Sequence, residues 1–277
     1  MRGSVRNIVR LYIRICLLSI AIVFIQMVSL SAGYGEASKE ITISAAMSLK
    51  NAFEEFGKRY EAGHKGVKIM FNFGASGDLS RQIEGGAPID AFASASKKEM
   101  DDLEEKGLVL SGSRNDFASN TVVLIVPLHT KVRIKSFTDL ESKEIKRIAL
   151  GNPKTSPAGR YAEEVFQYYK LMPAVKDKLI FTGNVSQVLD YVARGEVDAG
   201  IVYATDFMTR ANDVSIAATA PMSSHAPIIY PFALIRGARN EGLTKEFVSL
   251  LISGEGRKIL KKYGFVPAQN KNVRSGR

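Results

Sequence analysis

Short apolar stretches with two different periods alternate along most of the chain. In "ITISAAMSLKNAFEEF", from Ile41, apolar residues first alternate as in a strand and then recur at helical spacing. Strands are predicted at Ile41–Ala45, Val67–Phe73, Ala91–Ser94, Val122–Val126, Ile148–Gly151, Leu179–Phe181, Ala199–Tyr203 and Ile229–Ile235. Helices are predicted at Lys50–Ala62, Leu79–Glu84, Lys97–Lys106, Arg160–Tyr169, Gln187–Ala193, Leu243–Ile252 and Gly256–Tyr263. This alternation predicts an α/β fold with mainly parallel sheets.

Two segments are similar to each other: "SGDLSRQIEGGAPIDAFASAS" from Ser76 and "VSQVLDYVARGEVDAGIVYAT" from Val185. Each begins a helix after a turn of small residues, closes it at glycine and reaches Asp-Ala before an apolar strand. We interpret Asp90 and Asp198, at equivalent positions, as structural connectors rather than a catalytic pair. The similarity predicts two related α/β lobes, with chance similarity of βαβ units as the alternative.

The first 37 residues have the features of a secretory signal peptide. Four arginines precede an apolar run, Leu17–Leu30, and small residues follow, with candidate cleavage positions after Ser31, Ala32 or Ala37. The run is shorter than the roughly 20 residues that a membrane-spanning helix needs. We expect residues 1–37 to direct export to the periplasm or another extracytoplasmic space. An uncleaved anchor is the alternative.

Removal of this segment changes the chemistry that the chain can perform. Cys16, the single cysteine, lies within it, so the mature chain would have no disulfide, thiolate metal site or cysteine nucleophile. Four arginines and Glu36 are also removed, so the formal net charge falls from +10 to +7. The remaining basic residues are scattered without interleaved aromatic residues, and nucleic acid is therefore not an expected partner.

Four turns rich in small residues each precede a helix: "AAMSL" at Ser48, "FGASGDL" at Ser76, "TSPAGRY" at Ala158 and "TGNVSQV" at Val185. A helix N-terminus has unpaired N–H groups and roughly half a positive charge. If the four ends converge, they would bind a dianion without any cationic side chain.

Enzymatic functions have less support in the sequence. No Gly-x-Ser-x-Gly elbow occurs, and "GASGDLS" lacks the lysine of a phosphate-binding loop. The three histidines, His64, His129 and His225, lack metal-ligand spacing. A serine nucleophile at Ser48 or Ser76 would need a base, for which the sequence offers no candidate. We therefore expect no enzymatic activity, no cofactor and no metal-cation ligands.

The chain from about Ile41 to Pro267 resembles the periplasmic molybdate-binding proteins of ABC importers. The resemblance rests on "AAMSL", "NFGASGDLSRQIEGGAPIDAFASAS", "GNPKTSPAGRYAEE", "GEVDAGIVYATD", "IIYPFAL" and "KKYGFVP", in this order. It implies a two-lobed periplasmic binding protein that holds molybdate, or tungstate, between its lobes and delivers it to membrane permease subunits, and we expect a monomer. A receptor for another oxyanion such as sulfate, or a secreted serine hydrolase, is the alternative.

The resemblance also assigns the ligand-binding residues. It implies donation by the hydroxyls of Ser48 and Ser76, by the backbone N–H groups of Ala158 and Val185, and by the phenol of Tyr203. Two residues depart from the family pattern. Met47 stands where a smaller residue is common, and Asp78 brings a carboxylate near the second serine. We expect Asp78 to face solvent in the first turn of its helix, where negative charge is favourable.

The lobes are expected to be discontinuous. We predict one lobe from residues 39–119 plus 225–269 and the other from residues 120–224, because "NTVVLIV" and "IIYPFALI" can run from one lobe into the other. Residues 270–277 are polar and basic, and we expect a frayed tail there.

Overall fold

The computed structural model describes residues 39–268. The predicted signal peptide, residues 1–37, and the predicted tail, residues 270–277, lie outside the described residues. No helix between residues 39 and 268 has the length and apolar character needed to cross a membrane.

Eleven strands and nine α-helices make up the described part of the chain. The strands are β1 Lys39–Ala46, β2 Val67–Gly74, β3 Ala91–Ala93, β4 Asn115–Ser119, β5 Val122–Pro127, β6 Ile148–Gly151, β7 Leu179–Thr182, β8 Ala199–Tyr203, β9 Val214–Thr219, β10 Ile229–Leu234 and β11 Val266–Pro267. The helices are α1 Lys50–Gly63, α2 Ser76–Glu84, α3 Lys97–Glu105, α4 Pro157–Tyr168, α5 Met172–Val175, α6 Val185–Ala193, α7 Ala204–Met208, α8 Glu241–Ile252 and α9 Gly254–Lys262.

The strands form two separate sheets. The six-stranded sheet has the order β11-β4-β10-β3-β1-β2, and the five-stranded sheet has the order β7-β6-β8-β5-β9. We call the six-stranded sheet with α1, α2, α3, α8 and α9 the first lobe, and the five-stranded sheet with α4 to α7 the second lobe. The predicted two-lobed α/β fold is confirmed.

The chain passes between the two sheets twice. It leaves β4 at Ser119 and enters β5 of the other sheet at Val122, and it leaves β9 at Thr219 and returns in β10 at Ile229. Asn120 and Thr121 therefore form a very short link between the lobes.

Both sheets are mixed rather than mainly parallel, which corrects one detail of the prediction. Strand β3 is parallel to β1, and β6 is parallel to both β7 and β8, as expected of βαβ units. Strand β10 is antiparallel to β3 and β4, and β5 is antiparallel to β8 and β9. The chain reaches β5 and β10 directly from the other sheet, without a crossover helix, and such a connection allows these strands to be antiparallel to their neighbours.

The buried core explains why these segments fold as they do. Ile41, Ile43 and Ala45 of β1 are fully buried. In α1, Phe53 and Phe56 pack edge to face against Phe247 of α8, with ring centroids 6.1 and 6.4 Å apart. The change from alternating to helical spacing thus directs both elements into the same core.

Asp90 and Asp198 have matching structural roles. The carboxylate of Asp90 accepts the backbone N–H groups of Thr42 and Arg239, at 2.7 and 2.6 Å. The carboxylate of Asp198 accepts those of Lys146 and Arg147, at 2.7 and 2.8 Å. Both aspartates therefore fix a backbone segment beside their own strand, in agreement with their interpretation as connectors.

Candidate functional site

A small cavity between the two lobes is lined by all five residues that the sequence predicts as ligand donors. Ser48 and Ser76 come from the first lobe, and Ala158, Val185 and Tyr203 from the second. The cavity has a volume of about 20 Å³. That volume exceeds the roughly 10–15 Å³ that one water molecule needs. Among the residues between 39 and 268, no charged side chain lines this cavity.

Ser76 is the first residue of α2 and is fully buried. Its Oγ accepts the backbone N–H of Ala95 at 3.0 Å. Because a hydroxyl has one proton and two lone pairs, this bond leaves the proton of Ser76 available to donate. The residue therefore presents both a hydroxyl proton and a helix N-terminus to the cavity.

Ser48 lies in a single 3₁₀ turn, Met47–Leu49, between β1 and α1. Its Oγ is 3.0 Å from the Oη of Tyr230, a fully buried residue of β10. The Oη of Tyr230 in turn accepts a hydrogen bond from the side-chain amide of Asn120 at 3.1 Å. Ser48 is therefore held from behind by the first lobe and by the link between the lobes.

Tyr203 ends β8 and is 1% exposed. Its ring packs edge to face against Tyr161 and Tyr230, at centroid distances of 6.4 and 6.0 Å. Its Oη is buried and has no hydrogen-bond partner among the described residues. Burial raises the pKa of Tyr203 well above its ordinary value, so the phenol keeps its proton. A buried hydroxyl without a partner costs about 1–3 kcal/mol, which an added acceptor would recover.

Two helices of the second lobe begin at the cavity. Helix α4 begins at Pro157, which has no N–H, so Ala158 supplies one of the first N–H groups without an intrahelical acceptor. Helix α6 begins at Val185 after the N-cap Asn184, whose side chain accepts the N–H groups of Ser186 and Gln187. That cap leaves the N–H of Val185 available at the cavity.

Direct contacts join the lobes beside the cavity. The N–H of Gly77 donates to the carbonyl of Thr155 at 2.9 Å, and a side chain at position 77 would lie 2.7 Å from that carbonyl oxygen. The guanidinium of Arg160 pairs with the carboxylate of Glu99 at 2.5 Å, and the side chain of Glu99 is 5% exposed. These contacts hold the two lobes against each other beside the cavity.

Two acidic residues near the site have different environments. The side chain of Asp78 is 44% exposed and pairs with Arg81, so it points away from the cavity, as predicted. Asp206 in α7 is buried, and burial raises its pKa to about 7, although its carboxylate accepts the N–H of Tyr203 at 3.0 Å. The burial of this second carboxyl group was not predicted from the sequence.

A larger cavity of about 390 Å³ lies next to the small one. Met47 and Ser48 line both cavities, so this pair forms part of the wall between them. Of the five predicted donors, Ser48 alone lines the larger cavity. Its other walls include Asp206, Met208 and both cationic and anionic side chains, a mixture that suits a solvent-filled space rather than a dianion site.

Neither candidate serine has the surroundings of a nucleophile. Within the described part of the chain, Ser48 Oγ bonds to a tyrosine and Ser76 Oγ accepts a backbone N–H. His64 stacks on Tyr60 at 3.9 Å, and His225 bonds to the carbonyl of Ala226. No histidine, aspartate, glutamate or lysine activates either serine in residues 39–268.

Sequence reasoning missed the residues that support the site. Asn120, Tyr230, Glu99 and Arg160 all lie in segments that the sequence analysis used for the fold, but their partners are distant along the chain. The one available signal was a tyrosine within the apolar strand "IIYPFAL", a position where a buried hydroxyl needs a partner.

Comparison with known proteins gives the family. Residues 41–266 match the family described as "Bacterial extracellular solute-binding protein". The lipoprotein YvgL of Bacillus subtilis is 38% identical, over 83% of this chain and 87% of that protein. The molybdate-binding protein ModA of Haemophilus influenzae is 34% identical, over 85% of this chain and 94% of that protein.

A solved structure supports the fold. The periplasmic molybdate-binding protein of Azotobacter vinelandii superposes with a TM-score of 0.75 at 21% identity, covering 83% of this chain and 100% of that one. Because the family match covers residues 41–266, this chain belongs to the bacterial extracellular solute-binding proteins.

Proposed function

We propose that this chain is an extracytoplasmic receptor that captures molybdate, or tungstate, in the small cavity and delivers it to the permease subunits of an ABC importer. The observation that carries the proposal is the convergence of three hydroxyls, Ser48, Ser76 and Tyr203, with the N-termini of α2, α4 and α6 in one cavity that no charged side chain of residues 39–268 lines. The Haemophilus influenzae relative described above is a molybdate-binding protein, which agrees with this chemistry.

The donor set accounts for tight binding. Hydrogen bonds to a charged acceptor contribute about 1.5–3 kcal/mol each. Five such bonds would contribute roughly 7.5–15 kcal/mol if they were additive. A net free energy of about −8 kcal/mol corresponds to a micromolar dissociation constant, so any more favourable value gives submicromolar binding. A protonated anion would place an O–H group against donors alone, which leaves that group unpaired.

The cleft is proposed to open and close around the anion. Residues 39–119 plus 225–269 and residues 120–224 are proposed as the two moving lobes, because β4 and β10 belong to one sheet and β5 and β9 to the other. Donors from both lobes can reach one anion together only when the lobes approach, so the loaded form would differ in shape from the empty one. The permease subunits would recognise this closed form.

Export by residues 1–37 and a monomeric state complete the proposal. Mass spectrometry of the secreted protein would identify any cleavage position, and light scattering would give the oligomeric state. A retained N-terminus would indicate the anchor alternative.

Calorimetric titration of the exported chain tests the ligand. We expect submicromolar binding of molybdate and tungstate and much weaker binding of sulfate, with small-angle scattering that shows compaction on loading. Equal or tighter binding of sulfate would favour the alternative oxyanion receptor. Hydrolysis of ester substrates that disappears in Ser48→Ala would favour the hydrolase.

A further inference from the structure

A chain of hydrogen bonds runs from the link between the lobes to Ser48. Asn120 Nδ2 donates to Tyr230 Oη at 3.1 Å, and Tyr230 Oη lies 3.0 Å from Ser48 Oγ. We propose that Asn120 and Tyr230 are positioning residues that direct the hydroxyl proton of Ser48 into the small cavity and thereby make it selective for fully deprotonated oxyanions. This inference deepens the proposed function and rests on it.

The orientation of the Asn120 amide is determined by its neighbours. Its Oδ1 accepts the backbone N–H of Thr121 at 2.9 Å, so the amide NH₂ group must point the other way. There, Nδ2 lies 2.8 Å from Thr205 Oγ1 and 3.1 Å from Tyr230 Oη. Both N–H groups of the amide therefore have acceptors, and Tyr230 Oη must accept from one of them.

Among residues 39–268, the proton of Tyr230 then has one acceptor within hydrogen-bond distance, Ser48 Oγ. Tyr230 is fully buried, and burial raises its pKa well above the ordinary value, so the phenol stays protonated. With Asn120 donating to it, Tyr230 directs its own proton to Ser48 Oγ. The reverse arrangement would leave a buried phenol proton without an acceptor, at a cost of about 1–3 kcal/mol.

Ser48 consequently accepts from behind and donates in front. Because one of its lone pairs is used by Tyr230, its own proton is free for the cavity that it lines. Without this chain, the Ser48 hydroxyl could rotate and accept a hydrogen bond from a protonated anion. With Tyr230 on one of its two lone pairs, Ser48 keeps its proton and a single lone pair, so the chain halves its accepting capacity and favours donation from Ser48 to a fully deprotonated anion.

Reversing the polarity of the chain tests the inference. In Asn120→Asp one carboxylate oxygen can still accept the Thr121 N–H, while the other accepts the Tyr230 proton. Tyr230 then accepts from Ser48, whose lone pair turns toward the cavity. We expect molybdate binding to weaken ten- to a hundredfold. We also expect the ratio of molybdate to phosphate affinity at neutral pH, where every phosphate species carries a proton, to fall at least tenfold.

The added negative charge requires a matched control. Tyr230→Phe breaks the chain without adding charge, and the double variant Asn120→Asp/Tyr230→Phe adds the charge to a broken chain. Charge alone weakens both anions together, so we expect the double variant to have the affinity ratio of Tyr230→Phe, between those of the wild type and Asn120→Asp. An equal fall of the ratio in Asn120→Asp and in the double variant would overturn the inference.

The outcomes separate the inference from the proposed function. A wild-type chain that binds no molybdate contradicts the proposed function. A wild-type chain that binds molybdate, with an unchanged ratio in Asn120→Asp, contradicts only the role of the hydrogen-bond chain. If Asn120→Asp fails to fold, Tyr230→Phe decides: a ratio reduced about fivefold supports the inference, and an unchanged ratio refutes it.

Discussion

Replacement of Tyr203 by phenylalanine should change stability and ligand affinity in opposite directions. In the closed form without ligand, the Tyr203 hydroxyl is buried without a partner among residues 39–268, at a cost of about 1–3 kcal/mol. Phenylalanine removes that group and leaves a space of roughly one oxygen atom, which costs only a few tenths of a kcal/mol. We therefore expect the free energy of unfolding of Tyr203→Phe without ligand to rise by up to about 1 kcal/mol, the full value applying where the closed form predominates.

The same substitution should weaken molybdate binding. In the loaded protein the phenol would donate to a charged acceptor, an interaction that contributes about 1.5–3 kcal/mol. Its loss corresponds to a dissociation constant roughly ten- to a hundredfold higher. The ring, which packs against Tyr161 and Tyr230, is retained, so the shape of the cavity wall is unchanged.

Chemical unfolding without ligand and calorimetric titration with molybdate measure the two effects. Tyr161→Phe is the matched control, because Tyr161 is a neighbouring buried tyrosine that does not line the small cavity. Its affinity for molybdate should stay close to that of the wild type. The reasoning fails if Tyr203→Phe binds molybdate as tightly as the wild type, or if it is clearly less stable than the wild type without ligand.

Three further predictions concern groups around the small cavity. Glu99→Gln removes the charge that pairs with Arg160 across the lobes. We expect molybdate to dissociate three- to thirtyfold faster from this variant in stopped-flow measurements. An unchanged rate would show that the ion pair does not hold the lobes together. Burial raises the pKa of Asp206 from 3.8 to about 7, so between these pH values the folded state holds a proton that the unfolded state has released. The contribution of Asp206 to stability therefore decreases as pH rises through that window. Asp206→Asn should flatten this pH dependence in unfolding experiments and stabilise the ligand-free protein at pH 8 by on the order of 2–4 kcal/mol, and an unchanged profile would refute the shift. Met47→Ala should join the two cavities and raise the molybdate dissociation rate about tenfold. Met208 lines only the larger cavity, so Met208→Ala should leave that rate unchanged. Equal effects of the two substitutions would contradict a wall at Met47.

Four of the five predicted donors follow from a local rule, and the fifth, Tyr203, follows from the family resemblance. Ser48, Ser76, Ala158 and Val185 stand where a helix starts, and Tyr203 stands where a strand ends. Changes in hydrophobic period and the chemistry of helix N-termini locate such positions from a few neighbouring residues. The structure brings all five to one cavity.

The supporting contacts could not be predicted because they depend on packing between distant segments. Tyr230 is 182 residues from Ser48 and 110 residues from Asn120. Arg160 is 61 residues from Glu99, and neither side chain belongs to a motif that implies the other. Only the arrangement of the two sheets brings such groups together.

The sequence analysis missed five elements, β4, β9, β11, α5 and α7, and two of them have a similar explanation. Strand β4, "NDFAS", has too few apolar residues to give a clear alternating pattern, yet it pairs with both β10 and β11. Helix α7, Ala204–Met208, is little more than one turn, which is too short to display a helical period. Both lie next to the transition between the lobes or the ligand cavity, where long-range pairing overrides local preference.

The free energy of closing the lobes depends on what the small cavity contains. Closure buries the Tyr203 hydroxyl without a partner among the described residues, which opposes the closed form by about 1–3 kcal/mol. An oxyanion removes that cost and adds a charge-assisted bond of about 1.5–3 kcal/mol at the same atom. A single side chain on the second lobe therefore shifts the balance between open and closed forms by several kcal/mol when the anion arrives, because its contact exists only in one state. Ser48 and Ser76 lack this property, since Tyr230 and the Ala95 N–H already occupy one acceptor position of each with or without ligand. The first lobe thus provides a preorganised half-site, and the second provides the group whose satisfaction couples anion binding to closure.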